Sequence, residues 1–426
     1  MTKKGRIRTV HKIVRSAAAE AAFFSKKFVK WLLISACTGV LCGVVGSLFH
    51  ITVNYATAFR LGHPLLVWLL PVCGIIIALI YKLTGMEGHG TNDIIDSIHD
   101  GNKVPILLVP VIFVSTALTH LCGGSAGREG AALQIGGGIG SKIGRLMKLD
   151  EKDMRLVTLC GMSAVFSALF GTPLTASVFS LEVISVGIVY YAGLLPCLVA
   201  SVVAYQISLL FGLSPTRYAV VCETLSPVMI AKVAVLGVIT AVVSIAFCEA
   251  MHKTEYLAKK IRNTYLRSAA GGALILVLTL LIGENTYNGA GGEIILSAIE
   301  NGSCPDFGFV WKIVFTAVSL GFGFKGGEIV PTFFTGACLG CVLGPVLGIP
   351  AGFAAALALA GLFCGNVNCP IASIILSIEL FGSEGLIYFA LICCISYMLS
   401  GYFGIYKSQK IMYSKTKPEY INRFAE

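Results

Sequence analysis

Charged residues are scarce in this chain of 426 residues, because Asp, Glu, Lys and Arg together make up only 13% of it while 56% is hydrophobic. A typical soluble domain carries about twice that share of charge, so the composition excludes an ordinary soluble enzyme or regulatory domain. The short alternating strands of a membrane β-barrel are also missing. The class that remains is a polytopic α-helical membrane protein.

The residue groupings of catalysis and metal binding are missing as well. The 15 cysteines lie singly or as Cys393-Cys394, mostly in apolar runs, and no cluster of cysteine and histidine has the spacing of a metal site. No nucleophile beside a base and no phosphate-binding loop occurs in a usable context. We therefore predict that the chain is not an enzyme and that it uses neither a metal ion nor a cofactor.

Positive charge, by contrast, is present in excess. The net charge is +10, and much of it lies in residues 3–30, 253–267 and 407–423. In an apolar chain such segments indicate the cytoplasmic side of a membrane rather than nucleic-acid binding. We predict an integral, multi-pass membrane protein with both termini in the cytoplasm.

Three short motifs occur twice, in the same order and close to two hundred residues apart. The pairs are Gly88-His89-Gly90 with Gly289-Ala290-Gly291, Gly127-Arg128-Glu129 with Gly326-Gly327-Glu328, and residues 173–182 with residues 370–379. Several apolar segments around them are shorter than the roughly 20 residues that a full crossing needs. Transporters build ion sites near the membrane centre from such short, broken helices.

The fold class that follows is an all-α polytopic membrane protein with two inverted-topology repeats of many short, tilted or broken helices. We predict five parts along the chain. They are a cytoplasmic amphipathic N-terminal helix (1–30), a first membrane repeat (31–252), a basic cytoplasmic linker (253–268), a second membrane repeat (269–406) and a cytoplasmic C-terminal tail (407–426).

Glu129 is the residue around which we interpret the function. It lies in a glycine-rich run before an apolar segment, where a helix N-terminus presents unpaired N–H groups that attract a small anion. A carboxylate at this point competes with the anion for the same N–H groups, and burial is expected to raise its pKa. Protonation would then release the site to the anion. The alternative is that Glu129 only caps the helix.

The same motifs resemble the signatures of the CLC family of chloride channels and proton-coupled anion transporters. Gly127-Arg128-Glu129-Gly130 resembles the second signature, and residues 326–331 resemble the third. Gly88-His89-Gly90 lies where the first signature falls, and Tyr406 lies where the family has the tyrosine of its central anion site. The resemblance implies a CLC-like homodimer in the lipid bilayer of a bacterial plasma membrane. Its partners would be a small inorganic anion, fluoride or chloride, and protons.

The resemblance also implies roles for individual residues, with Glu129 as the gate and proton-transfer residue. The positions expected to bind the anion are His89, Gly90, Thr91, Gly127, Arg128, Gly130, Gly327, Glu328, Ile329, Val330 and Tyr406. Two interpretations of His89 stay open, a pH-sensitive ligand and a satisfied polar residue at a helix start. The Arg128 side chain is expected to cap backbone or pair with a carboxylate, and Glu182 and Glu379 to stabilise helix ends.

Three departures from the family pattern bear on the choice of anion. His89 replaces the serine of the first signature, Glu328 lies where chloride-selective members have an apolar residue, and Val183 lies where many proton-coupled chloride members have a second glutamate. The fluoride-exporting branch resembles this chain in the first two respects, although its usual methionine is absent. We predict a halide/proton antiporter with fluoride favoured over chloride. A passive voltage- or pH-gated chloride channel and a transporter of larger anions are the alternatives.

Overall fold

The structure is a computed structural model that describes residues 3–101 and 104–426, with side chains from residue 19 onward. Seven helices in this part of the chain are long and apolar enough to cross a membrane, and five shorter apolar helices accompany them. In chain order the helices are α1 (Lys3–Gly62), α2 (Leu70–Leu83), α3 (Thr91–Asp100), α4 (Leu108–Cys122), α5 (Glu129–Leu146), α6 (Glu151–Phe170), α7 (Pro173–Glu182), α8 (Leu194–Leu210), α9 (Pro227–Lys259), α10 (Thr264–Ile282), α11 (Gly292–Leu296), α12 (Gly308–Gly321), α13 (Ile329–Leu347), α14 (Ala351–Val367), α15 (Pro370–Phe381) and α16 (Leu386–Leu399).

Helices α1 to α8 are repeated in order by helices α9 to α16. Helix α5 packs on α6 as α13 packs on α14, and α1 packs on α8 as α9 packs on α16. This order places the boundary between the halves in residues 211–226, before α9. Residues 253–268, which we predicted to be a linker, instead contain the last turns of α9, a short connection and the first turn of α10. The basic charge there belongs to the adjoining ends of these two helices.

Glycines allow the backbones of the central helices, α5 and α6 in the first half and α13 and α14 in the second, to contact each other directly. A Cβ added at Gly136 or Gly140 of α5 would overlap backbone carbonyl oxygens of α6. In the second half Gly336 and Gly340 of α13 meet the backbone of α14 in the same way. The two contacts are equivalent, so the repeat seen in the sequence is also a repeat of close helix packing.

Two glutamates cap each other's helices across the repeat. The carboxylate of Glu379, near the end of α15, accepts hydrogen bonds from the N–H groups of Leu174 (3.0 Å) and Thr175 (2.8 Å) in the first turn of α7. Glu182, at the end of α7, accepts from Ile371 (3.2 Å) and Ala372 (2.8 Å) in the first turn of α15. This confirms that both residues stabilise helix ends. Because each half caps a helix of the other in the same way, the two halves are related by a two-fold axis at this contact.

The C-terminal residues form structure that the sequence did not indicate. Strand β1 (Ser185–Val186) pairs in parallel with β2 (Lys410–Tyr413), which pairs antiparallel with β3 (Tyr420–Phe424). The predicted tail 407–426 is therefore a hairpin that folds back onto the segment after α7. At the other end, the predicted N-terminal helix 1–30 is continuous with the first crossing in α1, and its residues 1 and 2 lie outside the described residues.

Candidate functional site

The N-termini of α5 and α13 meet through their glycine loops. Gly127 N–H donates to the Gly327 carbonyl at 2.7 Å, and Gly327 N–H donates to the Gly127 carbonyl at 2.9 Å. A Cβ at Gly130 would lie 2.8 Å from the Gly326 carbonyl oxygen, so this contact requires glycine. The two corresponding signatures of the repeat are thus joined into one site.

The carboxylate of Glu129 lies at this junction and is fully buried. Its Oε2 accepts hydrogen bonds from the N–H groups of Arg128 at 3.0 Å and Val330 at 3.3 Å. Its Oε1 has no hydrogen-bond partner among the residues that the structure describes. A side-chain anion therefore occupies N–H groups from both helix N-termini, in the way a free anion would.

A cavity of about 610 Å³ opens on one side of Glu129, and we call it the outer cavity. Arg128 and Val330, whose N–H groups bind Glu129, both line it. The Arg128 guanidinium donates to the side-chain amide oxygen of Asn54 at 2.8 Å. Our expectation that this side chain caps backbone or pairs with a carboxylate is thus wrong, because among the described residues its hydrogen-bond partner is a neutral amide on α1.

A second cavity, of about 230 Å³, lies on the other side and is called the inner cavity. Glu328, Gln134, Lys325 and Glu255 line it, together with residues at the end of α9. The outer cavity lies at the opposite end of α10, whose 19 residues span roughly 28 Å. The neighbours of Glu129 thus line both cavities, Arg128 and Val330 the outer one and Gly326 and Glu328 the inner one.

Glu328 and Tyr406 present unpaired oxygens near this junction. Oε2 of Glu328 and Oη of Tyr406 are buried and have no hydrogen-bond partner in the described part of the chain. The Tyr406 loop is fixed by its backbone, since Ile405 N–H donates to the Asn366 carbonyl at 2.9 Å. Buried polar atoms without partners are rare in proteins, so both oxygens are available to a ligand.

Asn366 and Thr332 support this region and were not identified from the sequence. The Asn366 amide donates to Thr332 Oγ1 at 2.9 Å, and that hydroxyl donates to the Glu328 carbonyl at 3.0 Å. Together they tie α14 to the N-terminus of α13. An asparagine inside an otherwise apolar helix was the available signal, because a buried amide requires hydrogen-bond partners.

The first signature contributes less to the site than predicted. Gly90 N–H donates to the carboxylate of Asp93 at 2.6 Å, and His89 Nδ1 lies 3.5 Å from the same carboxylate. Asp93 thus caps α3 and leaves no free N–H at Gly90, which favours His89 as a polar residue at a helix start. Thr91 does reach the site, because its hydroxyl donates to the Gly130 carbonyl at 3.3 Å.

The remaining predicted anion-binding positions fall into two groups. The N–H groups of Gly127 and Gly327 are paired with each other, so in this conformation they join the loops and are not free for an anion. Ile329 is the first residue of α13 and is buried, and Val330 follows it with its N–H on Glu129. The donors that face an anion therefore come from the first turns of the two helices.

Cysteine offers no metal site in the residues that the structure describes, where no group of three or more His, Cys, Asp or Glu is arranged to hold a metal ion. One Cys-x-x-Cys spacing, Cys338 with Cys341, was overlooked in the sequence. Both residues are buried on α13, and Cys304 donates to the Cys338 carbonyl.

Comparison with known proteins gives a matching family model and a similar bacterial protein. A family model described as voltage gated chloride channel matches residues 73–401. A protein of Pseudomonas syringae pv. tomato named chloride/fluoride channel protein is 39% identical over 396 residues, which cover 91% of this chain and 87% of that protein. The match extends through both repeats.

Two solved structures resemble the fold. The crystal structure of a CLC-type fluoride/proton antiporter superposes with a TM-score of 0.87 at 32% identity, covering 90% of this chain and 98% of that one. A slow cyanobacterial Cl⁻/H⁺ antiporter superposes with a TM-score of 0.73 at 19% identity, covering 87% and 94% of the two chains. These similarities confirm the predicted fold class.

Proposed function

The chain belongs to the voltage-gated chloride channel (CLC) family, and on this premise we propose that it exchanges a halide for protons across the membrane. The observation that supports this most is the Glu129 carboxylate, which lies between two cavities on N–H groups from both α5 and α13. One residue at this position competes with the anion and also carries a proton. No second residue then has to move for the anion and proton fluxes to be coupled.

The exchange follows from that competition. Ionised Glu129 occupies the N–H groups of Arg128 and Val330 and closes the path. An arriving anion displaces the carboxylate, which takes up a proton once it has left these donors. The neutral acid then competes less well with the anion for the donors. Release of the proton to the other side returns the carboxylate to its place. Each cycle therefore moves anion and proton in opposite directions.

Fluoride is the anion that we propose as preferred. It is the smaller of the two halides and the stronger hydrogen-bond acceptor, so it gains most from donors such as the unpaired hydroxyl of Tyr406 or a protonated Glu328. The absence of a free N–H at Gly90 removes one donor of the first signature. The relative named for chloride and fluoride and the similar fluoride/proton antiporter support the same choice.

A passive halide channel is the second candidate, and one observation favours it. Val183 is buried, and its carbonyl accepts a hydrogen bond from the Gln409 amide at 3.0 Å, so the C-terminal hairpin covers this position. A proton would then have to reach Glu129 through the inner cavity, where Glu328 has a buried carboxylate oxygen. Without that route the path conducts anions alone.

We also propose a homodimer in a bacterial plasma membrane with both termini and the basic residues 253–267 on the cytoplasmic side. Large apolar side chains such as Leu195, Val202 and Ile387 are exposed on α8 and α16, where a second copy or lipid would cover them. Chemical cross-linking in detergent tests the dimer. Cysteine labelling tests the orientation, and it contradicts us if residues 253–267 lie opposite to either terminus.

Flux from proteoliposomes tests the function directly. Purified protein in vesicles is given an outward gradient of fluoride or of chloride, and halide release and external pH are recorded together. We expect fluoride release to drive protons into the vesicles against their gradient. Halide flux without proton movement identifies the passive channel, and faster chloride than fluoride flux overturns the proposed preference.

A further inference from the structure

Arg60 is a buried cation without a counter-charge. It lies in the last turn of α1 and is only 5% exposed. Its Nε has no hydrogen-bond partner, and among the described residues its guanidinium forms no ion pair. A buried charge is costly unless something pairs with it. No carboxylate of the described residues pairs with it, and Arg60 lines the outer cavity.

Two glycines make room for the Arg60 side chain. A Cβ at Gly123 would lie 3.3 Å from its Cδ, and a Cβ at Gly289 would lie 2.9 Å from its Nη2. Both glycines have positive φ, 93° and 68°, which side chains rarely adopt. The guanidinium is thus held between the loop that leads to Glu129 and the loop that leads to α11.

The charges around the outer cavity add to that of Arg60. Arg128 lines the same cavity. Behind the wall, fully buried Lys312 donates to the carbonyls of Gly289 at 2.6 Å and Tyr287 at 3.2 Å, without an acidic partner in the described part of the chain. Glu293 is the carboxylate among the described lining residues, and it is exposed. The inner end of the cavity is therefore positive.

We propose that Arg60 is an anion-binding residue of the outer cavity, which holds a halide before the halide displaces Glu129. A fixed guanidinium at the narrow junction would bind an anion too tightly for release. In a cavity of about 610 Å³, water screens the attraction, so the charge concentrates anions and still lets them leave. The inference rests on the proposed halide transport and adds a second, outer site to it.

The test is an Arg60→Gln variant in right-side-out membrane vesicles from a host without its own halide exporters. We expect the half-saturating external halide concentration to rise about tenfold, the effect of one charge a few ångströms from an anion in a partly screened site. The maximal rate should stay within about twofold of wild type. Arg60→Lys should restore most of the affinity, and added salt should reduce the difference because it screens the charge.

A matched control is Arg217→Gln, which removes the same charge from an exposed position beside the cavity residues Thr216 and Tyr218. We expect it to leave the half-saturating concentration unchanged. Thr57 lines the cavity one turn before Arg60, so Thr57→Asp should neutralise the guanidinium in place, whereas Thr57→Asn should not. This pair decides the question if Arg60→Gln does not fold.

The outcomes separate the inference from the proposed function. If the wild type moves no halide, halide transport itself is wrong. If the wild type transports and both Arg60→Gln and Thr57→Asp keep its half-saturating concentration, halide transport stands and the outer site is wrong. A lower maximal rate in Arg60→Gln at unchanged half-saturation also overturns the site, because it indicates a purely structural role.

Discussion

Replacing Glu129 by glutamine tests the gate most directly. The amide has nearly the same volume and keeps one oxygen acceptor, but it does not ionise. In the structure the carboxylate accepts from the N–H groups of Arg128 at 3.0 Å and Val330 at 3.3 Å. We expect Glu129→Gln to move halide without moving protons, because nothing at this position then titrates.

The same two contacts indicate how much anion binding should improve. Hydrogen bonds to charged groups contribute about 1.5–3 kcal/mol and neutral ones about 0.5–1.5 kcal/mol, so the pair weakens by roughly 2 kcal/mol in the amide. A halide that competes for these donors gains up to about thirtyfold in affinity. The real gain is smaller, since burying a neutral amide also costs less than burying a carboxylate.

The assay uses proteoliposomes with a halide gradient and a clamped membrane potential, and it records halide and pH together. The matched control is Glu182→Gln, another buried carboxylate that accepts two backbone N–H groups, those of Ile371 and Ala372. It should lower stability and keep proton coupling. If Glu129→Gln still drives protons at the wild-type rate, Glu129 is only a helix cap, and Glu328 is the next residue to test.

Three further predictions concern residues around the site. Gly327→Ala should lower stability by about 1–3 kcal/mol in thermal unfolding, because the added Cβ meets the backbone of Gly130, whereas Gly292→Ala, with open space around it, should be neutral. Tyr406→Phe should leave the melting temperature unchanged or higher, because its hydroxyl is unpaired, and should weaken halide binding in calorimetry; unchanged binding removes this hydroxyl from the anion site. Lys415→Met should expose the C-terminal hairpin to protease, because the ammonium donates to Asn368 Oδ1 at 2.5 Å and the Tyr397 carbonyl at 2.9 Å, and equal protection in the mutant contradicts this anchor.

The repeat and the junction of the two signatures were predictable because they depend on local patterns. Glycine and proline mark where helices begin and end, and a motif that occurs twice in order indicates a duplicated architecture. Glu129 was identifiable for the same reason, since a carboxylate beside a glycine-rich helix start has few other uses inside a membrane.

What the sequence did not reveal depends on contacts between distant segments. The linker prediction for residues 253–268 was wrong because clustered charge marks a membrane side, not a helix boundary, and α9 continues to Lys259. Gly90 was assigned to the anion although Asp93, three residues later, takes its N–H. The β-hairpin at residues 410–424 pairs with residues 185–186, which follow α7, and no local pattern in such a short segment indicates this.

The exchanged caps of α7 and α15 also constrain how this protein is made. The N–H of Leu174 is bonded by Glu379, which lies 205 residues later in the chain. At about 5–20 residues per second, the ribosome needs roughly 10–40 s to reach Glu379 after it has completed α7. During this interval the first N–H groups of α7 lack the Glu379 carboxylate, and unpaired donors are costly wherever lipid replaces water. Neither half is therefore a finished unit, and a fragment that ends before Glu379 should be a substrate for membrane proteases rather than a stable half-transporter.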